Sequence, residues 1–337
     1  MSLDKIRKLK AVQNDILKQD KPLEFISTGV GTLNILFSGR IDGGIPKGKV
    51  SMIAADSALG KSMIGLKIAK NAQKKGMSVI IFDTEKAFAI DTAVSMGIDM
   101  NKILVIQNTS LEDVTTQFMN IIQEIGDEKD NYLFIIDSWN VLVSSKTIDD
   151  ATNGKDVADL STQKKKNTFA KLLLNSNATV FVINQIYTNI MESYSSFSGE
   201  IPGGKTIFFA SSSIVQANSK AKDKNTDGDI VGAIITAVTR KGRFVKEYSK
   251  LKYLINYDGG INPFYGLLDI ALEGGFITKP TIGWYQKEGD EKKYREREIY
   301  NKEFWKDIIS NPEFKEYIKK SFAFTQDNII DDMELDI

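Results

Sequence analysis

The stretch Ala55-Asp56-Ser57-Ala58-Leu59-Gly60-Lys61-Ser62 follows directly on an apolar run, KVSMIAA, and continues through Met63 into an amphipathic segment. Residues in this order can cradle phosphates. Successive backbone N–H groups and a helix N-terminus wrap the oxygens, a lysine reaches the outer phosphates and a hydroxyl ligates Mg²⁺. A Gly-Lys-Ser tripeptide alone is equally the start of an ordinary helix. Its place at a strand-to-helix switch, and a later apolar strand LFIIDS ending on Asp137, turn the reading toward a nucleotide site. In that reading residues 56–63 hold the nucleotide, Lys61 meets the β and γ phosphates, and Ser62 with Asp137 serves Mg²⁺, Asp137 through water. The first position of the GxxxxGK[ST] pattern holds Ala55 in place of glycine, which adds a Cβ where a tight, strained turn is expected.

Histidine and cysteine are both absent. That removes disulfides, thiol nucleophiles, most zinc chemistry and imidazole bases, leaving carboxylates, amines and a hard metal ion. Glu85, just past the apolar run SVIIFD, is the candidate base, because a carboxylate at a strand end near the γ-phosphate can orient and polarise a water. A solvated loop acid is the bland alternative. Lys plus Arg and Asp plus Glu number 44 each, so any grip on a polyanion comes from local clustering and not from net charge.

These residues need a frame to hold them. Apolar strands alternate with amphipathic helices: KVSMIAA, helix 61–75, SVIIFD, helix 91–96, ILVIQ, helix 111–125, NYLFIID, helix 160–176 and TVFVINQ. Unbroken apolar runs of this kind are buried on both faces, so the pattern predicts an α/β fold around a mixed, mostly parallel sheet. Later strands near 214–216, 233–238 and 251–257 lack intervening helices and are expected to pair antiparallel at one side. At the N-terminus Leu3, Ile6, Leu9, Val12 and Ile16 recur at helical spacing. After Gly260 short helices and aromatics predict a small α+β unit. The last eleven residues carry Asp327, Asp331, Asp332, Glu334 and Asp336 with no basic partner, which reads as a mobile acidic tail. The expected divisions are an arm (1–27), a core (28–260), a small C-terminal domain (261–323) and a tail (324–337). The N-terminus is too charged for a signal peptide and no run approaches the ~18 apolar residues of a membrane span, so the expectation is an intracellular protein.

Taken together, ISTGVGTLNILFSGRIDGGIPKGKVSMI, the phosphate loop, DTEKAFAIDTAVSMGID, IIDSWNVL, VINQI and GGINPFYGLLDIAL resemble the RecA family in order and interval. The segment GGINPFYGLLDIALEGGFITKPTIGWY is similar to the phage UvsX branch. The resemblance spans residues 26–322. It implies a RecA-like ATPase core that binds ATP and Mg²⁺, with Glu85 as catalytic glutamate and Asp137 at the metal. It implies that Gln185 couples the γ-phosphate to the following DNA loop, and that Lys241 and Arg243 reach across a subunit interface to a neighbour's ATP. Lys246 is the alternative member of that pair. An adenine-stacking aromatic is expected seven residues after the glutamate, but Thr92 stands there, with Phe88 as a substitute or as core.

The resemblance also implies that residues 144–159 and 187–205 line a filament axis. Ile190 matches an aliphatic wedge between bases and Tyr194 a nearby aromatic. Because the second loop is poor in cations apart from Lys205, phosphate contacts would draw on Lys164, Lys165 and Lys166 and on the N–H groups of Gly203 and Gly204. The implied partners are single-stranded DNA, homologous duplex DNA, further copies of the chain in a helical filament, and phage single-strand-binding and mediator proteins, in a host cytoplasm or nucleoid. The implied activity is DNA-dependent ATP hydrolysis driving strand exchange. A hexameric helicase on the same core, or a non-hydrolysing recombination mediator, remains as an alternative.

Overall fold

The computed structural model describes residues 22–154, 160–186 and 201–324. The N-terminal helix, most of the acidic tail, Ile190 and Tyr194 lie outside the described residues.

The chain enters through a short strand β1 (Phe25–Ile26), which pairs antiparallel with β2 (Ile45–Pro46) around helix α1 (Gly31–Ser38). A nine-stranded sheet follows. Its parallel part is built from β3 (Val50–Ala55), β4 (Ser78–Asp83), β5 (Ile103–Ile106), β6 (Tyr132–Asp137) and β7 (Thr179–Gln185). Between them run α2 (Lys61–Lys74), α3 (Ile90–Ser95), α4 (Leu111–Ile125), α5 (Ser145–Thr152) and α6 (Leu160–Ser176). Then come α7 (Lys205–Ala210), β8 (Ser213–Lys224), β9 (Ile230–Gly242), β10 (Lys250–Asn256) and β11 (Gly260–Ile261). Strand order across the sheet is β11-β10-β9-β8-β3-β7-β6-β4-β5. Antiparallel pairing for 214–216 holds on one side only: β8 is antiparallel to β9 but parallel to β3, because α7 carries the chain back to the start of the sheet before β8 begins.

The sheet is buried on both faces, and alternate residues sort to opposite layers. Ile53, Ile81, Ile135 and Ile183 pack under α1 and α2, while Met52, Phe82, Phe134 and Val182 pack under α4, α6 and α7. Each fully buried side chain of this size contributes roughly 1.5–3 kcal/mol, which is what fixes the strand register and with it the strand ends.

The C-terminal part holds α8 (Leu267–Glu273), a three-stranded antiparallel sheet of β12 (Ile277–Thr281), β13 (Trp284–Lys287) and β14 (Lys293–Arg295), then α9 (Lys302–Ser310) and α10 (Pro312–Phe322). Trp305, Phe314, Ile318 and Tyr285 build its core, which continues onto Ile35 and Ile41 near α1. No helix among the described residues is long and apolar enough to cross a membrane.

Candidate nucleotide and DNA site

The parallel register brings the chemically loaded strand ends side by side. Ala55 is level with Gln185, and Asp83 with Asp137. The loop from Asp56 to Gly60 closes over this edge, with Gly60 left-handed at φ 78° and a Cβ there falling 2.9 Å from Ile255 Cδ1. The left-handed backbone favours glycine at residue 60, while the Ile255 methyl is a side-chain end that can yield. Ala55 needs no such freedom, since it is the buried last residue of β3 with an extended backbone. The expected strain at Ala55 is absent, and the left-handed alanine of this loop is Ala58 at φ 61°.

Lys61 opens α2, is 8% exposed, and donates through Nζ to the carbonyls of Ala55 at 3.0 Å and Asp56 at 2.7 Å. Burial lowers its pKa, while Glu85, Asp137 and Asp56 oppose the shift. The Ser62 hydroxyl bonds to Asp137, whose carboxyl burial pushes up to about 6, with Glu85 and Asp83 adding repulsion. A partly buried carboxylate beside a hydroxyl is an oxygen-only donor set, which fits a hard divalent ion. Mg²⁺ keeps waters and substrate phosphates in its shell, so one carboxylate and one hydroxyl are enough protein ligands for it.

Glu85 is exposed, on the turn after β4. Its Oε1 accepts from Ser138 Oγ and from Gln185 Nε2, each at 2.6 Å. Two further groups hold that turn. Asp83 accepts from the N–H groups of Ala87 and Phe88 and from Gln107 Nε2, and Thr84 exchanges two 2.8 Å bonds with the Ser138 backbone. Sequence reasoning gives Ser138 no role, although a hydroxyl residue directly after the strand-end Asp137 is the signal that marks it. Tyr253 was missed too. Fully buried on β10, it donates to the Leu59 carbonyl at 2.8 Å and anchors the phosphate loop. A tyrosine inside the apolar run KYLIN has to find a partner for its hydroxyl.

A cavity of 270 Å³ lies beneath Ser62, Asp83 and Asp137, lined by Met63, Leu66, Phe88 and Thr92. Phe88 is partly buried and packs against the core. It thus lines the cavity and borders the core, while Thr92 is exposed on α3.

Toward the loop roots, Trp139 Nε1 donates to the Gly203 carbonyl at 3.1 Å and Asn184 Nδ2 to Pro202 at 2.5 Å. Gly204 ends its loop against the Gln163 and Asn167 side chains, which are themselves joined by a 3.0 Å bond. Lys205 is exposed at the start of α7. Of the three-lysine run only Lys164 is exposed. Lys165 pairs with Glu112 at 2.5 Å, and Lys166 is 6% exposed with its Nζ on the Asn140 carbonyl at 3.1 Å. Helix α6 turns residue 166 into the layer beneath the sheet, while Lys165 stays partly exposed in its pair with Glu112.

Lys241 is the penultimate residue of β9, and Arg243 follows its last residue, Gly242. Lys241 Nζ donates to the carbonyls of Phe208 and Phe209 at the end of α7, at 2.9 and 2.8 Å, and lies over both rings. Burial first, and Arg243 second, lower its pKa. Arg243 is exposed.

The chain matches two known protein families. The model of the RecA N-terminal domain matches residues 4–262, and that of the C-terminal domain of the bacteriophage T4 recombination and repair protein matches residues 264–318. The recombination and repair protein of Enterobacteria phage T4 is 28% identical over 317 residues, covering 89% of this chain and 79% of that protein. Protein RecA of Nocardioides sp. is 30% identical over 275 residues, covering 80% and 75%. Protein RecA of Streptomyces venezuelae is 29% identical over 279 residues, covering 81% and 70%. With the RecA N-terminal domain matched from residue 4 to residue 262, most of the chain, the protein belongs to the RecA family.

Proposed function

We propose that the protein is an ATP-dependent DNA strand-exchange recombinase, forming helical filaments on single-stranded DNA in homologous recombination, repair and recombination-dependent replication. The bond between Gln185 and Glu85 carries this reading. Gln185 ends the strand from which the loop 187–205 departs, so DNA seated on that loop would move the residue that holds the hydrolytic carboxylate. Residues 28–260 form the ATPase core in this reading and 261–323 the smaller C-terminal domain.

Asp56 to Met63 wrap the nucleotide, Lys61 leaves its two carbonyls for the phosphates, and Ser62 with Asp137 would hold Mg²⁺, which supplies charge neutralisation on the phosphates when bound. Glu85 orients the attacking water. Lys241 and Arg243 act on the neighbouring subunit's ATP, so turnover depends on assembly, as with an arginine finger. DNA phosphates meet the Gly203 and Gly204 backbone, Lys205, Lys164 and the Gln163–Asn167 amides, with Ile190 and Tyr194 between the bases.

The test is ATP hydrolysis measured with and without single-stranded DNA, for the natural chain and for Glu85→Gln. DNA stimulation that the substitution abolishes is expected. Turnover indifferent to DNA, or untouched by the substitution, overturns the assignment.

A further inference from the structure

Lys241 and Arg243 stand where β9 runs into the turn that leads to β10, and that turn is tied to the far end of the chain. Lys246 N–H donates to the Phe322 carbonyl at 2.8 Å and Phe324 N–H to the Phe244 carbonyl at 3.1 Å. Between them the fully buried Val245 faces Ala323 in an antiparallel bridge. The Lys246 ammonium then reaches the C-terminus of α10, donating to the Lys320 and Ser321 carbonyls at 2.9 and 3.0 Å. Carbonyls of a last helical turn have no partner within the helix, and a cation there also meets the negative end of the helix dipole. On the other side the Phe244 ring meets Phe25 edge-on at 6.0 Å.

We propose that Lys246, with the strip Phe322–Phe324 along which its turn is paired, is a positioning element for Lys241 and Arg243. The inference rests on the reading of those two residues as cations acting in trans. A hairpin turn at the margin of a sheet opens easily on its own, because few buried contacts restrain it. Here a helix of the C-terminal part restrains it, through two backbone bonds, one buried side chain and one bridging ammonium. With its Nζ on the Lys320 and Ser321 carbonyls of the last turn of α10, Lys246 is placed to hold the turn in cis. Lys246 is exposed, so its removal costs little stability. What it alters is placement, and a misplacement of about 1 Å is enough to slow a reaction by about a hundredfold.

The experiment uses the full chain with Lys246→Met, Lys246→Arg, Phe324→Pro and Phe324→Ala. Phe324 is 75% exposed, so Phe324→Ala keeps its N–H and removes little packing, whereas Phe324→Pro removes the bond to Phe244. Hydrolysis stimulated by single-stranded DNA is measured for each variant alone and mixed with Lys61→Ala subunits. Lys246→Met and Phe324→Pro are expected to lose between about tenfold and about a hundredfold in kcat with KM for ATP little changed. Lys246→Arg and Phe324→Ala should stay near the natural chain.

In the mixture, a Lys246→Met subunit keeps a working phosphate loop that a Lys61→Ala neighbour can serve with well-placed cations. Turnover should therefore recover, as it should for Lys241→Ala mixed with Lys61→Ala. Recovery in the Lys241→Ala mixture without recovery in the Lys246→Met mixture overturns the positioning role and leaves the trans reading standing. Full turnover of both Lys246→Met and Phe324→Pro alone does the same. No recovery in the Lys241→Ala mixture overturns the trans reading and the positioning role with it.

Discussion

Gln185 Nε2 donates to Glu85 Oε1 at 2.6 Å, across a separation of 100 residues. The carboxylate oxygen is shared with Ser138 Oγ, so Glu85 is held between the end of β7 and the end of β6. Replacing Gln185 with Ala leaves Ser138 as the remaining side-chain tether. DNA-stimulated turnover is expected to fall by about ten- to a hundredfold, in the range of a catalytic group that is present but less well placed. Nucleotide affinity without DNA should change little, which equilibrium binding of a fluorescent ATP analogue will check.

Asp137 gives a prediction whose sign is set by burial. Its folded pKa, about 6, lies above the ordinary value of 3.8, so the folded state favours the protonated form. The free protein should therefore gain stability from this group as pH falls through about 6 toward 4, and lose it as pH rises. Asp137→Asn removes the buried charge. It should raise stability of the nucleotide-free protein at pH 7 by up to about 3 kcal/mol, with the gain fading near pH 4. Mg²⁺-dependent hydrolysis should be lost together with that gain. Denaturant melts at several pH values measure the first effect, and phosphate release the second.

Tyr253→Phe keeps the ring in its buried place and leaves the Leu59 carbonyl without its donor. A lost hydrogen bond at a buried acceptor costs about 1–3 kcal/mol. Because Leu59 belongs to the phosphate loop, the variant should also bind ATP more weakly. Melting with and without nucleotide separates the two effects. Equal losses under both conditions would remove Tyr253 from the site.

Lys166 makes the opposite case from Lys164. Burial alone lowers the Lys166 pKa to about 8, so charging it costs stability that is fully present above the ordinary lysine range and lost as pH falls through about 8. Lys166→Met should raise stability at pH 7 by about 1 kcal/mol once partial solvent screening is counted, and leave the salt dependence of DNA affinity unchanged. Lys164→Ala should reduce the slope of log affinity against log salt by about 1 if it meets a phosphate. Titrations of labelled single-stranded DNA at several salt concentrations test both.

Much of the frame was legible because its signals are local. The runs SVIIFD, YLFIID and TVFVINQ are apolar throughout, and helices 111–125 and 160–176 show the spacing that buries one face, so strand, helix and order followed from neighbours in the chain. Helix α1 was hidden inside the motif ISTGVGTLNILFSG, where no polar face interrupts the buried residues Thr32 to Ser38. Helix α5 was hidden because its eight residues include none that is buried. The two-sided pairing of β8 was equally out of reach, since β-strand direction depends on the path of α7.

The same division runs through the site. Sequence by itself determined that Asp137 and Glu85 stand at or just past strand ends and that Lys61 and Ser62 open the helix after another strand, because each lies beyond an apolar run that is buried on both faces. The tertiary structure decided which of them touch, that Gln185 and Ser138 share one oxygen of Glu85, that Tyr253 holds the phosphate loop, and that Lys166 turns inward while Lys164 does not. It also decided that Lys246 belongs to the end of α10. Each of these turns on a contact between segments far apart in the chain, and spacing along a sequence carries no measure of distance through space.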